Sequence, residues 1–471
     1  MGSFMGLLSG LVRDERGSIL VQATITMVVL MGMIGLGLDG ARFLLLNNDL
    51  QDLADAAALA GAADLDGSSR ANNAITDAQN FLVNCPDSTK SYCGKWWNTS
   101  GVQIQSVHLY ESLAKLDAGI DTDAEPRKAQ FIKVTTGTWQ VAPTFIRAVG
   151  ATSNAATQAS AVAQASITIC KPLPMFLCNP NEPTPFSPVA GQFFKFSLTG
   201  NPTSSQYSPG DFNLVDTPDG RTGDQDIAGY LSQQSNFACS SSGLSPAQGS
   251  KTNATRIGIN VRFDQQPNGQ GQTVGLDQTP APITIDGQVP KINGGNYNCN
   301  PAQLQDATTQ TPPSLPLPDD ALGAPTGSVA SSSGPPPVAS LQSYWSSHHP
   351  GTLPAGYTTR WQIYQDEVNG VGNAATWTTD SSEPHGPVCA PSGYQGSPKF
   401  TAQRRIMSLA VVDCQFWNVG GNRVNNIPIN SYLDFFLTKS SDGNIYAEYV
   451  GSHSLGAGNA TGLRMVVQLV R

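Results

Sequence analysis

The sequence predicts an α+β protein: a long N-terminal helix, with a transmembrane half and an exported half, packed on a small antiparallel sheet and followed by a β-rich exported region with long loops. Three observations carry this. An uncharged run, Ile19–Leu38, lies near the N-terminus. Helical periodicity continues beyond it to Ala63 with no proline. Segments that alternate apolar and polar residues then recur, broken by glycine and proline.

The run Ile19–Leu38 reaches about 30 Å as a helix, the thickness of a bilayer's hydrocarbon layer. Arg13-Asp14-Glu15-Arg16 flanks it on one side, and Asp39 with Arg42 on the other. A cleaved signal peptide is the competing reading, but its apolar region is normally only about 7–15 residues long. A buried core helix competes less well, because core helices are rarely apolar on every face. The surplus of Arg before the run predicts a single-pass membrane protein with its N-terminus in the cytoplasm and its C-terminal body outside it. All eight cysteines follow the run, as suits disulfides in an exported region: Cys85, Cys93, Cys170, Cys178, Cys239, Cys299, Cys389 and Cys414. Pairing in sequence order is the expectation.

Within the helix, Phe43, Leu46, Leu50, Leu53, Ala57 and Ala60 form an apolar stripe spaced by threes and fours. It packs either on the chain's own domain or on another subunit. The Ala-rich end favours helix and close approach of a neighbour. Residues 68–84 read as a second helix, and 143–150 as a short one opened by Pro143. Residues 101–110, 130–140 and 153–170 read as strands. The expected organisation is a cytoplasmic N-terminus (1–17), a transmembrane and continuing helix (18–63), a juxtamembrane α+β module (64–170) and an exported β-rich region (171–307). A Pro/Ser/Gly-rich linker or loop (308–350) and a C-terminal β-rich region (351–471) complete it.

The chain has 471 residues, enough for about two or three domains and a sizeable core. Charged residues make up only 13%, and the net charge is -9 with no Lys/Arg block. That balance argues against nucleic acid, which needs clustered cations to displace counterions.

Leu38-Asp39-Gly40-Ala41-Arg42 and Leu50-Gln51-Asp52-Leu53-Ala54-Asp55-Ala56-Ala57-Ala58-Leu59-Ala60-Gly61 together resemble the N-terminal domain of Tad-type (Flp) pilus-assembly proteins, the TadG-like members in particular. The resemblance implies an anchored, non-catalytic accessory protein, minor pilin-like or scaffold, that supports adhesion-fibre biogenesis. Its implied partners are the lipid bilayer and other Tad/Flp pilus-assembly proteins or pilins. Its implied membrane and assembly residues are Gly17, Gln22, Asp39, Arg42, Gln51, Asp52 and Asp55. Relatives often carry a von Willebrand A domain with an Asp-x-Ser-x-Ser metal motif, which this chain does not have. Pilin-like relatives are cut after a glycine and carry Glu five residues later; here Gln22 follows Gly17 at that spacing, and neutral Gln cannot pair with a new amino terminus. Retention in the membrane is the expectation.

The sequence advertises no nucleophile elbow, zinc-protease helix or phosphate loop, and no cofactor is expected. Asp216, Asp219, Asp224 and Asp226 form an acidic, glycine-containing stretch that could hold calcium, although Asp and Gly are also ordinary turn residues. His348-His349 read as a loop beside Pro350. Two functions compete with the anchored accessory protein. A surface or pilus-tip adhesin would suit the exported β-rich region. An anchored extracytoplasmic hydrolase would need a cleft of convergent polar groups.

Overall fold

The computed structural model describes residues 15–65, 69–81, 103–119, 124–142, 154–170, 175–199, 206–215, 223–232, 239–240, 246–247, 251–265, 275–378, 383–390, 401–420, 427, 429–453 and 463–470. The chain divides into unit 1, residues 1–166 with 467–471, and unit 2, residues 167–466.

Unit 1 is built on α1 (Glu15–Ala62), an unbroken helix. At 1.5 Å per residue it is roughly 70 Å long, about twice what a bilayer's apolar layer requires. Its C-terminal half packs on a short helix, α2 (Ala74–Gln79), and on an antiparallel sheet. That sheet runs in the order β1 (Ile104–Tyr110), β2 (Phe131–Thr136), β5 (Ser160–Cys170), β17 (Leu463–Leu469). A two-stranded ribbon of β3 (Trp139–Val141) and β4 (Ala155–Thr157) stands beside it, and a one-turn helix, α3 (Leu113–Asp117), follows β1. Leu109, Ile132 and Val134 alternate toward the helix and meet Leu50, Leu53, Ala54, Ala57 and Ala58. The predicted stripe therefore packs on the chain's own domain. The second helix is shorter than the expected 68–84, and the expected helix at 143–150 lies outside the described residues. β17 closes the sheet of unit 1, a return that local sequence pattern does not reveal.

Unit 2 centres on a seven-stranded mixed sheet in the order β13-β7-β16-β15-β14-β6-β8. These strands are β13 (Val329–Ser331), β7 (Phe193–Phe196), β16 (Ile445–His453), β15 (Ser431–Lys439), β14 (Ile406–Val412), β6 (Met175–Cys178) and β8 (Phe212–Leu214). Side-chain alternation gives the sheet two apolar faces. Leu433, Phe435 and Leu437 of β15 join α4 (Asp224–Ser232) and α5 (Thr252–Asn260) in one core. Phe436 turns to the other face and joins α6 (Val338–His348) and α7 (Arg360–Asn369). A small antiparallel sheet adds β11 (Asn296–Asn298), β10 (Gln288–Asn293) and β12 (Leu304–Asp306), and the two-residue β9 (Cys239–Ser240) pairs with the end of β5.

Two expectations change here. Residues 308–350, expected as a linker, contain β13, α6 and the buried Leu317, Tyr344 and Trp345. Their Pro/Ser/Gly content serves turns between packed positions. The apolar island at Ile257–Phe263, read as part of a β-rich region, is helical, because Ala254, Gly258 and Ile259 face the core at helical spacing.

Candidate functional site

The N-terminal half of α1 presents apolar side chains on all sides. From Val21 to Leu38 its large apolar residues are 45–61% exposed. Polar side chains in this run are quieted locally: the Thr24 hydroxyl donates to the Val21 carbonyl at 3.0 Å, and that of Thr26 to the Gln22 carbonyl at 2.7 Å. Gly17 lies in the first turns, the Gln22 side chain is exposed, and Asp39 (half-buried) and Arg42 (exposed) mark the end of the run. Leu44 and Leu45, beyond that charged pair, remain exposed.

One turn later the helix enters its core. Gln51 Nε2 donates to Asp55 Oδ1 at 2.7 Å and to the Ser160 carbonyl at 3.2 Å, at the start of β5. Asn47 Oδ1 accepts from the Thr157 hydroxyl at 2.7 Å. Gln51 and Asn47 thus tie the helix to β5 and β4, Asp55 holds the Gln51 amide within the helix, and Asp52 stays exposed. Gly61 is set by close approach: a Cβ there would lie 2.5 Å from Ile132 Cδ1 and 2.7 Å from the Ala74 carbonyl oxygen.

Residues 17–64, the span that joins this exposed run to this packed end, match the Tad family model, described as Flp pilus-assembly TadE/G-like. The segment is a TadE/G-like domain. No curated protein matches the chain, and no solved structure does. The TadE/G-like domain thus covers α1 and the turn after it, and most of unit 1 and all of unit 2 lie outside it.

The cysteines beyond the TadE/G-like domain pair differently from sequence order. Cys178 bonds Cys414, with Cα atoms 5.3 Å apart, and Cys299 bonds Cys389 at 5.6 Å. The first bridge joins the ends of the neighbouring parallel strands β6 and β14, a contact made by topology and invisible to spacing. Backbone register sets Cys170 opposite Cys239. Cys85 and Cys93 lie outside the described residues.

The calcium candidates do not form a site among the described residues. Asp224 and Asp226 occupy the first turn of α4, where carboxylates suit the helix dipole, and Asp224 pairs with Lys251 at 2.8 Å. Asp216 and Asp219 lie outside the described residues. His348 and His349 are not in a loop: they close α6 and are buried. His349 Nε2 lies 2.8 Å from Glu367 Oε1, its Nδ1 donates to the Thr376 carbonyl at 2.8 Å, and the Tyr344 hydroxyl donates to Glu367 at 3.0 Å. Burial raises the Glu367 carboxyl above its ordinary range and pushes His348 down to about 4.

A second group of buried carboxylates lies at a small, half-open cleft lined by Phe263, Asp264, Gln288, Pro290, Leu304 and Glu383 among others. Burial pushes Asp264 up to about 6, against the opposing backbone N–H groups of Cys389, Val388 and Ala390, and Asp286 up to about 6 as well. Burial, aided by the neighbouring Asp286 charge, lifts Glu383 well above the usual carboxylate range. Glu383 accepts from the backbone N–H groups of Asp286 (2.9 Å) and Gly287 (3.2 Å) and from the Ser314 hydroxyl (3.1 Å). Sequence reading missed this group. Asp264, Asp286 and Glu383 share no motif spacing, and only the fold brings them together.

Proposed function

We propose that the chain is a membrane-anchored, non-catalytic accessory protein of Tad/Flp pilus assembly, held in the bacterial inner membrane by the apolar half of α1. In this reading residues 1–17 are cytoplasmic, and the packed part of unit 1 and all of unit 2 lie outside the cytoplasm. The observation that carries it is the continuity of α1: one helix runs unbroken from an exposed apolar span into the core of unit 1, within a TadE/G-like domain. An anchor built this way holds the packed part of unit 1 next to the bilayer, as suits a scaffold that meets other pilus-assembly proteins or pilins. The bridges Cys178–Cys414 and Cys299–Cys389 support the orientation, since such bonds persist outside the reducing cytoplasm.

Membrane fractionation combined with protease treatment of spheroplasts tests it. The full-length protein is expected in the inner membrane, with unit 2 digested from outside, and deletion of the gene is expected to remove surface pili. A soluble mature protein beginning beyond Leu38, protection of unit 2 from external protease, or unchanged piliation would each overturn the proposal.

A further inference from the structure

We propose that the cleft beside β10 and β12 in unit 2 binds a basic side chain, lysine or arginine, presented by an extended segment of a partner protein. Asp264 supplies the first reason. It is only 6% exposed and stands at φ 63°, a left-handed backbone conformation that non-glycine residues rarely adopt and that gathers at functional sites. Its Oδ2 accepts from the N–H groups of Val388 at 2.5 Å and Cys389 at 2.7 Å. The Ala390 N–H also faces the carboxylate, and among the described residues its buried Oδ1 has no hydrogen-bond donor. A buried carboxylate oxygen left open is a strong acceptor, and a cationic N–H is the donor that satisfies both its charge and its lone pair.

The rest of the cleft narrows the choice. Glu383 already accepts from three donors, so it adds negative potential and no open acceptor. Among the described residues no three His, Cys, Asp or Glu side chains converge on a metal-sized point, which favours a nitrogen donor over a cation such as calcium. Phe263, Pro290 and Leu304 line the walls, where the aliphatic stem of Lys or Arg would lie.

The second reason is the surface next to the cleft. Alternate residues of a strand share a face, and directly paired residues of neighbouring strands share it too. Gln288 and Pro290 of β10 and Leu304 of β12 line the cleft, and Pro290 pairs with Leu304. Ile292 continues that face of β10 and pairs with Tyr297 of β11. Ile292 is 63% exposed and Tyr297 40%, so the cleft opens onto an unpartnered apolar shelf. The Cys299–Cys389 disulfide ties the end of this hairpin to the loop that holds Asp264. An acidic pocket beside an apolar shelf on a pinned hairpin fits an extended peptide with a basic residue next to apolar ones.

The test uses the full chain in detergent micelles, titrated with three blocked tripeptides, Val-Lys-Val, Val-norleucine-Val and Val-Glu-Val, and separately with calcium chloride and glucose. The lysine peptide is expected to bind about tenfold tighter than the norleucine peptide, the worth of one charge-assisted hydrogen bond, and the glutamate peptide not at all. Asp264→Asn is expected to abolish the preference. Gln288→Lys, at a half-buried position that tolerates change, brings an ammonium to the cleft and is expected to block the lysine peptide even if the Asp264 variant does not fold. Tyr297→Ala, at an exposed position, should weaken the lysine and norleucine peptides equally. Equal affinity for the lysine and norleucine peptides, lysine binding that survives Gln288→Lys, or saturable calcium or glucose binding lost in the same variant would overturn the proposal.

Discussion

The cores of the two units are stabilised by different means. In unit 1, Ala54, Ala57, Ala58, Ala62, Ala74, Ala78, Ala161 and Ala163 let α1, α2 and the sheet approach closely. Its buried charge is confined, among the described residues, to Asp64 at the rim, paired with Arg70 at 3.1 Å. In unit 2, aromatic rings fill the space and the arginines Arg262, Arg360, Arg404 and Arg405 are at most 1% exposed. Each has buried partners, Arg404 donating to the carbonyls of Thr279 and Asp277. Arg360 Nη1 lies 2.8 Å from Glu448 Oε2, Arg262 donates to the carbonyls of Leu231, Arg404 and Ile406, and the Arg405 guanidinium covers the rings of Phe263 and Tyr364. A helix that also carries a long exposed apolar run gains most from a dry, uncharged packing surface. A body of mixed sheet and helices can use buried charge to fix which elements meet. The difference predicts that unit 1 is sensitive to volume and unit 2 to charge.

The largest expected effect lies in unit 2. Arg360→Met leaves Glu448 buried without its cation and should cost about 3–5 kcal/mol, while the double change Arg360→Met with Glu448→Leu should recover most of it. Urea unfolding followed by the fluorescence of Trp345, Trp361 and Trp377 would measure both, and failure of the double change to recover would break the charge half of the comparison. Cys414→Ser opens a loop of 236 residues and should cost about 2–5 kcal/mol in the same assay. In unit 1, Gly61→Leu forces a side chain against Ile132 and Ala74 and should cost about 1–3 kcal/mol, with the unit 2 transition unchanged. Hydrogen exchange resolves the two units, and a loss spread equally over both would erase the distinction.

The smallest effect is on pH. Burial raises Asp264 and Asp286 to about 6, so the folded unit 2 holds protons that the unfolded chain has already released, and stability falls as pH climbs from about 4 to 6. His348, pushed down to about 4, acts in the opposite sense over the same window. His385, also lowered by burial, adds to His348, but the two aspartates act together with Glu367, Glu383 and Glu448, raised in the same direction, and outnumber the two histidines. Unit 2 should therefore melt higher near about pH 5 than near pH 7, and His348→Gln should steepen that trend. A melting temperature that drops on acidification would show that the carboxylates are not held as described.

Much of unit 1 was legible in the sequence, because helix and strand periods are local signals. The apolar run, the stripe through Leu50, Leu53 and Ala57, and the strands around Leu109 and Ile132 all follow from spacing. Gly61 and the return of β17 were not legible, since each depends on what lies across the core. Unit 2 was harder. Strands β14, β15 and β16 fall in the C-terminal region expected to be β-rich, but α5 and α6 were hidden in short, polar-interrupted stretches. The Cys178–Cys414 bridge and the Asp264 cleft join residues brought together only by sheet order, and no linear pattern encodes them.

The chain leaves unit 1 through β5 and comes back on the strand next to it, β17, with the Val470 N–H bonded to the Val162 carbonyl. Everything between is therefore an insertion between two neighbouring strands of unit 1. Such a graft can be lengthened, exchanged or trimmed without reworking its base, because the two ends of the splice are already neighbours. A single anchored platform could then display unrelated bodies, each folding on its own terms.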